Sequence, residues 1–107
     1  MRTIIAGIAL LTAISITSAQ EGTIVGHGVS SCAEWTESQR ENSWAARTNQ
    51  AWVAGYLSAY NGRIKIDIPD SAARTAWVST YCRTYPLDTI YAAADNLLLE
   101  LIRRANR

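Results

Sequence analysis

The sequence predicts an all-α fold, a small disulfide-braced bundle of three to four helices, on three observations. Apolar residues recur at helical spacing through Trp44 to Tyr60, through the segment holding Trp77, Val78, Tyr81 and Cys82, and through Ile90 to Leu101. Turn and cap residues separate these segments: Ser43, Asn61-Gly62, Asp70-Ser71 and Tyr85-Pro86. Two cysteines, Cys32 and Cys82, are available to cross-link the chain.

Residues 1–19 read as a cleavable export signal and stand outside the fold. Arg2 supplies the positive start, and Ile4 to Ile14 is an uncharged apolar run. Thr17-Ser18-Ala19 offers the small residues that signal peptidase requires, with cleavage expected before Gln20. The run is shorter than the roughly 20 apolar residues of a membrane-spanning helix, so no stable membrane insertion is expected after cleavage. The expected location is the periplasm, and passage beyond the envelope stays open.

With Arg2 set aside, Lys and Arg balance Asp and Glu. A nucleic-acid partner is not expected, because such binders carry a basic excess or stripe. The basic tail from Arg103 to Arg107 ends a helix, where cations complement the dipole. A mature chain of about 90 residues buries one modest core, so residues 32–107 are expected to form one helical domain. In an oxidising compartment Cys32 and Cys82 are expected to pair. A loop of that span is worth about 4 kcal/mol in chain entropy. Two free thiols are the alternative.

Residues 20–31, rich in glycine, read as a flexible lead-in or one short strand, with Ser30 or Ser31 able to cap the next segment. Cys32 to Arg40 forms a short helix turning Trp35 toward the core. The polar run Glu37 to Asn42 reads as an exposed turn, or as part of one longer helix. Trp44 to Tyr60 is the strongest helix of the first half, with Trp44, Trp52, Tyr56 and Tyr60 near one stripe and Val53 and Leu57 beside it. Ala51, Gly55 and Ala59 form an adjacent small-residue stripe. Glycine costs about 1 kcal/mol inside a helix, so close packing against another helix or the disulfide is expected there.

Arg63 to Pro69 alternates polar and apolar residues. It is read as a short extended segment laying Ile64, Ile66 and Ile68 over the core, although pairing with residues 23–26 is conceivable. Asp70 or Ser71 starts the next helix, with Cys82 on its inward side. Pro86 and Asp88 suit the first turn of a final helix. That helix is expected to bury Leu87, Ile90, Ala94, Leu97, Leu98 and Leu101. No internal repeat is expected.

Nothing in this pattern assembles a catalytic or metal centre, and no cofactor is expected. His27, the single histidine, lies between glycines with nothing nearby to orient it. The acidic pairs Glu34/Glu37 and Asp67/Asp70 read as solvated or helix-start groups. No phosphate loop, metal-ligand spacing or serine-nucleophile motif is present, so the expected class is a non-enzymatic binding protein. The aromatic excess is the better lead: four Trp and five Tyr with no Phe. Tyr60, Tyr85 and Tyr91, near helix ends or edges, are the candidate protein-binding residues, because amphipathic rings serve interfaces well.

The order of Cys32, the segment Trp52-Val53-Ala54-Gly55-Tyr56-Leu57, Asp67, Tyr81-Cys82 and Pro86 resembles small periplasmic proteins of the HdeA-like acid-chaperone type. It also looks like the Rap1a/Tai-type immunity proteins, and like uncharacterised exported proteins of this size. The first resemblance implies a homodimer that loosens in acid and takes unfolding clients. The second implies a rigid inhibitor of one secreted toxin, though its cysteine usually lies within the Gly-Tyr helix, where this chain has none. Only Lys65 supplies lysine here, whereas the chaperone type is richer in it. An accessory subunit of an envelope complex is the third possibility. Each of these partners, whether client, toxin or self, is a protein.

Overall fold

The computed structural model describes residues 23–107; the expected signal peptide at 1–19 and the first residues of the lead-in lie outside the described residues. A 3-10 turn at Gly26–Val29 precedes four helices: α1 Cys32–Glu41, α2 Trp44–Asn61, α3 Ser71–Thr84 and α4 Ile90–Ala105. The fold is the expected all-α bundle, and among the described residues no strand forms. Among them, too, no helix is long and apolar enough to cross a membrane.

The helix starts follow from the cap residues. Ser31 and Glu34 form a reciprocal capping box on α1: Glu34 N–H donates to Ser31 Oγ at 3.1 Å, and Ser31 N–H to Glu34 Oε1 at 2.9 Å. Asp70 Oδ1 accepts from Ala73 N–H at 2.9 Å, and Thr89 Oγ1 accepts from Ala92 N–H at 3.0 Å. Ser43 differs. It makes no side-chain cap on α2 and turns its hydroxyl back to the Ser38 carbonyl.

The remaining donors at the start of α1 are met by the connector before α4. Cys32 N–H donates to the Asp88 carbonyl at 2.7 Å and Ala33 N–H to the Pro86 carbonyl at 3.1 Å, while Ile90 N–H returns to the Ser30 carbonyl at 2.9 Å. All the free N–H groups of that first turn are therefore used. Beside this lacing Cys32 and Cys82 form the expected disulfide, with Cα atoms 4.7 Å apart and both residues fully buried.

Helix α4 supplies the largest share of the core through Ile90, Ala93, Ala94, Leu97, Leu98 and Leu101. Trp35 from α1, Val53 and Leu57 from α2, and Val78 and Cys82 from α3 close around it. The buried indole of Trp35 is not left unpaired, since Nε1 donates to Ser79 Oγ at 3.0 Å. A polar seam joins α1 to α2: Asn49 Nδ2 donates to Ser38 Oγ at 3.2 Å, and Gln50 Nε2 to Gln39 Oε1 at 2.8 Å.

Several local expectations are corrected. Leu87 is 94% exposed. The connector turns the Pro86 and Asp88 carbonyls inward to cap α1, and the side chain between them faces out. Trp44 is 73% exposed. Each four-residue step rotates about 40° around a helix, so two steps carry Trp44 well off the inward face set by Val53 and Leu57. The run from Glu37 is the end of α1 rather than a turn, and the helix stops at Asn42 in the left-handed conformation, φ 51°.

The segment 63–69 is extended and unpaired. It buries Ile66, whose N–H donates to Asn61 Oδ1 at 3.2 Å, and half-buries Ile68, while Ile64 faces solvent. The described part of the lead-in is neither loose nor a strand, because its 3-10 turn is packed against Trp52.

Candidate functional site

Two helices carry the same short pattern. Trp52-Val53-x-x-Tyr56-x-x-x-Tyr60 on α2 is matched by Trp77-Val78-x-x-Tyr81-x-x-x-Tyr85 at the end of α3. This repeat corrects the expectation of none, since a pattern of four fixed positions escapes a search for long periodic similarity. Both copies share a rotational setting. The residue after each Trp, Val53 or Val78, is buried, as is the residue after each middle Tyr, Leu57 or Cys82. The aromatic residues are thereby turned to the flank.

Four-residue spacing then stacks the rings. Trp52 and Tyr56 lie 5.4 Å apart at 15°, and Trp77 and Tyr81 lie 5.9 Å apart at 13°. Tyr60 and Tyr85 continue the two ladders at 5.2 and 4.8 Å, more steeply tilted. An aspartate holds each middle tyrosine. Tyr56 Oη donates to Asp95 Oδ1 at 2.9 Å, and Tyr81 Oη donates to Asp88 Oδ2 at 2.5 Å while accepting from Asn96 Nδ2 at 3.3 Å. Burial, and then the carboxylate beside it, push the Tyr81 phenol up to about 12. The same causes, in the same order, hold Tyr56 well above the ordinary phenol range.

The surroundings of the two ladders differ. On α2 the 3-10 turn seats Gly28 on the Trp52 ring, Trp52 Nε1 donates to the Val25 carbonyl at 3.1 Å, and Tyr91 meets Tyr56 edge-on at 5.6 Å. On α3 the ladder borders an open groove of roughly 550 Å³, lined by Ala73, Ala76, Trp77, Thr80, Tyr81 and Thr84. Among the described residues the Trp77 indole N–H has no hydrogen-bond partner. Arg83 leans over the rim, its Nη2 donating to Thr80 Oγ1 at 3.2 Å. Methyls, hydroxyls and ring faces line this groove. They suit recognition by shape and apolar contact, with a few hydrogen bonds for orientation.

Of the three candidate tyrosines, the structure brings Tyr60 and Tyr91 together around Tyr56 and sets Tyr85 apart, 52% exposed, on the second ladder. Ala51, Gly55 and Ala59 are exposed, and a Cβ built on Gly55 would meet nothing within 4 Å. The expected close packing is therefore corrected: Val53 and Leu57 take the inward side of α2, and the small stripe faces out. In the aligned repeat Ala51, Gly55 and Ala59 correspond to Ala76, Thr80 and Thr84 of the groove. Trp77, Tyr81 and their groove are absent from the candidates that the sequence suggests, and the duplicated pattern is the signal that finds them.

The other polar candidates have local roles. Glu34 serves the α1 cap, Asp70 caps α3, and Glu37 pairs with Arg40, which holds its carboxyl below the usual range. His27 and Asp67 face solvent. Among the described residues no three of His, Cys, Asp and Glu gather as a metal would require. No protein-family model matches the chain, and neither a curated protein nor a solved structure matches it significantly.

Proposed function

We propose that this is an exported, non-enzymatic periplasmic protein that binds another protein, and that the outer face of α3 is its docking surface. The observation that carries the reading is the open groove beside the Trp77-Tyr81-Tyr85 ladder. Rings stacked on one another, with Tyr81 tied to Asp88, are already ordered before any partner arrives. Binding then costs less side-chain entropy than it would with free rotors. Tyr and Trp are also the residue types on which interface energy concentrates.

A photo-crosslinking side chain placed at Thr80 in cells tests this, with one at exposed Arg47 as control. A discrete protein adduct from Thr80 and none from Arg47 is the expected result. No adduct at Ala76, Thr80 or Thr84 under any growth condition would overturn the docking role. Many adducts arising only in acid would favour a client-holding chaperone over a dedicated partner.

A further inference from the structure

The pair Asn61-Gly62 closes α2, and the fold makes no conformational use of its glycine. Gly62 lies at φ −72° and ψ −13°, in the right-handed region open to every L residue. A Cβ built on it would meet only the Ala59 carbonyl oxygen, at an ordinary 3.8 Å. What the absent side chain leaves is an unobstructed main-chain nitrogen next to the Asn61 carboxamide. Both residues face water. Asn61 Oδ1 accepts the Ile66 N–H at 3.2 Å, which draws electron density from the amide carbon and ties the strap 63–66 to the helix end. None of the other four asparagines precedes a glycine.

We infer that Asn61 is a site of spontaneous covalent modification: its side-chain amide is lost to attack by the Gly62 main-chain nitrogen, and the product frees Ile66 from the end of α2. In the first step a bond forms between Gly62 N and Asn61 Cγ and the Cγ–Nδ2 bond breaks. Nδ2 leaves as ammonia, with the proton that Gly62 N gives up. Water then opens the five-membered imide. Opening at Cγ leaves an aspartate at 61, and opening at the main-chain carbonyl leaves an isoaspartate, whose main chain runs through Cβ and Cγ. Either opening gives Gly62 N a proton from the water, and nothing is oxidised or reduced. Helical backbone holds the nitrogen away from Cγ and engages its N–H with the Tyr60 carbonyl. Reaction therefore proceeds from the opened last turn, and helix ends open at little cost.

The two products differ in what they do to the strap. An aspartate keeps an oxygen where Asn61 Oδ1 stood, so the Ile66 N–H retains its acceptor. An isoaspartate takes that carbonyl into a main chain lengthened by one carbon, and the acceptor moves away. Ile66 is a core residue, 5% exposed, and with its N–H unpaired the strap has less to hold it. The cleft that Lys65, Ile66 and Asp67 form with Ala105 and Asn106 widens as the strap lifts.

In the test, the oxidised protein is kept in mildly alkaline buffer and sampled by peptide mapping and mass spectrometry, with a urea-unfolded portion alongside. The expected result is the mass gain of an amide turned into a carboxyl at residue 61, ahead of every other asparagine, with isoaspartate the larger share. Gly62→Ala should suppress it, because the added methyl shields the nitrogen while the fold accepts it. Hydrogen exchange at the Ile66 N–H should quicken in the isoaspartate fraction and stay unchanged in Asn61→Asp. Residue 61 still intact in the folded protein after the unfolded portion has reacted would overturn the inference, since the helix end would then hold too firmly. Equal rates in wild type and Gly62→Ala would overturn the attack by Gly62 N. Unchanged Ile66 exchange in the isoaspartate fraction would overturn the release. The wild-type measurement decides the first point whether or not the alanine variant folds.

Discussion

Gly28 sits so close to Trp52 that a Cβ on it would fall within 2.6 Å of three carbons of the indole six-membered ring. The ring cannot simply retreat, because it is stacked on Tyr56 and its Nε1 is tied to the Val25 carbonyl. Gly28→Ala is therefore expected to cost about 1–3 kcal/mol, the usual range for overpacking. Urea unfolding of the variant measures it, and an unchanged midpoint would show that the turn is not seated on the ring.

Gly55 is the opposite case. It lies mid-helix on α2 with nothing within 4 Å of a built Cβ. Gly55→Ala should stabilise the protein by about 0.5–1 kcal/mol through helix propensity and a less free unfolded chain. A destabilised variant would restore the close-packing role that the small-residue stripe first suggested.

Trp35 is buried, and its indole N–H depends on Ser79 Oγ. Ser79→Ala strands that donor and should cost about 1–3 kcal/mol, whereas Thr80→Ala, one residue along on the exposed face, should stay within about 0.5 kcal/mol. Thermal melts of the two variants side by side decide the matter. Equal effects would contradict the inward placement of Ser79.

Alkaline pH acts on the middle tyrosines. The fold favours the neutral Tyr81 phenol, whose pKa is pushed up to about 12. A folded-state value raised above the unfolded one, about 10, gives stability that is complete below pH 10. It is then lost as pH climbs toward 12. Tyrosinate absorbance should show a late-titrating component, reduced by Tyr81→Phe and again by Tyr56→Phe. A variant that loses an ordinary phenol step while the late component stays intact would refute the anchoring by Asp88 and Asp95.

Removing the Cys32–Cys82 bond, by reduction or by Cys82→Ser, should cost about 2–5 kcal/mol. Helix starts are joined at the same place, through Cys32 N–H to the Asp88 carbonyl and Ile90 N–H to the Ser30 carbonyl. Hydrogen exchange of the reduced protein should therefore speed up first at Ile90 and Cys32. Uniform loss of protection along the chain would argue that the disulfide braces the bundle without a local focus.

Much of the bundle was legible in the sequence because its signals are local. The apolar period of α4 identified Ile90, Ala94, Leu97, Leu98 and Leu101 as core, and the spacing of Val78 and Cys82 turned the second cysteine inward. The same period carried back to Leu87 overshoots the helix, because α4 begins only at Ile90 and the carbonyls on either side of Leu87, those of Pro86 and Asp88, serve α1. Gly55 misled for a different reason. A glycine announces that a side chain is absent, and only the third dimension tells whether the vacant side faces a neighbour or water.

The candidate site was less legible. Tyr60 and Tyr91 meet through Tyr56 across two helices, a contact no local pattern encodes. Trp77 and Tyr81 carry the same four-residue spacing as Val78 and Cys82, so periodicity alone does not set them apart as a surface. Only the comparison of residues 52–60 with 77–85 separates the ring ladder from the core stripe, and only the 3-10 turn shows which of the two tryptophans the chain itself covers.

The position of the second cysteine along the chain has a consequence for assembly. A polypeptide emerging N-terminus first presents Cys32 and Cys82 while Ile90 to Leu101 is still to come. Oxidation can therefore tie α1 to α3 before α4 has been delivered. Once α4 arrives, the Ser30 carbonyl receives Ile90 N–H and the seam is shut. The cross-link thus asks for nothing beyond residue 82, and a chain halted short of Ile90 would carry both cysteines of its one disulfide while lacking Ile90, Ala94, Leu97, Leu98 and Leu101.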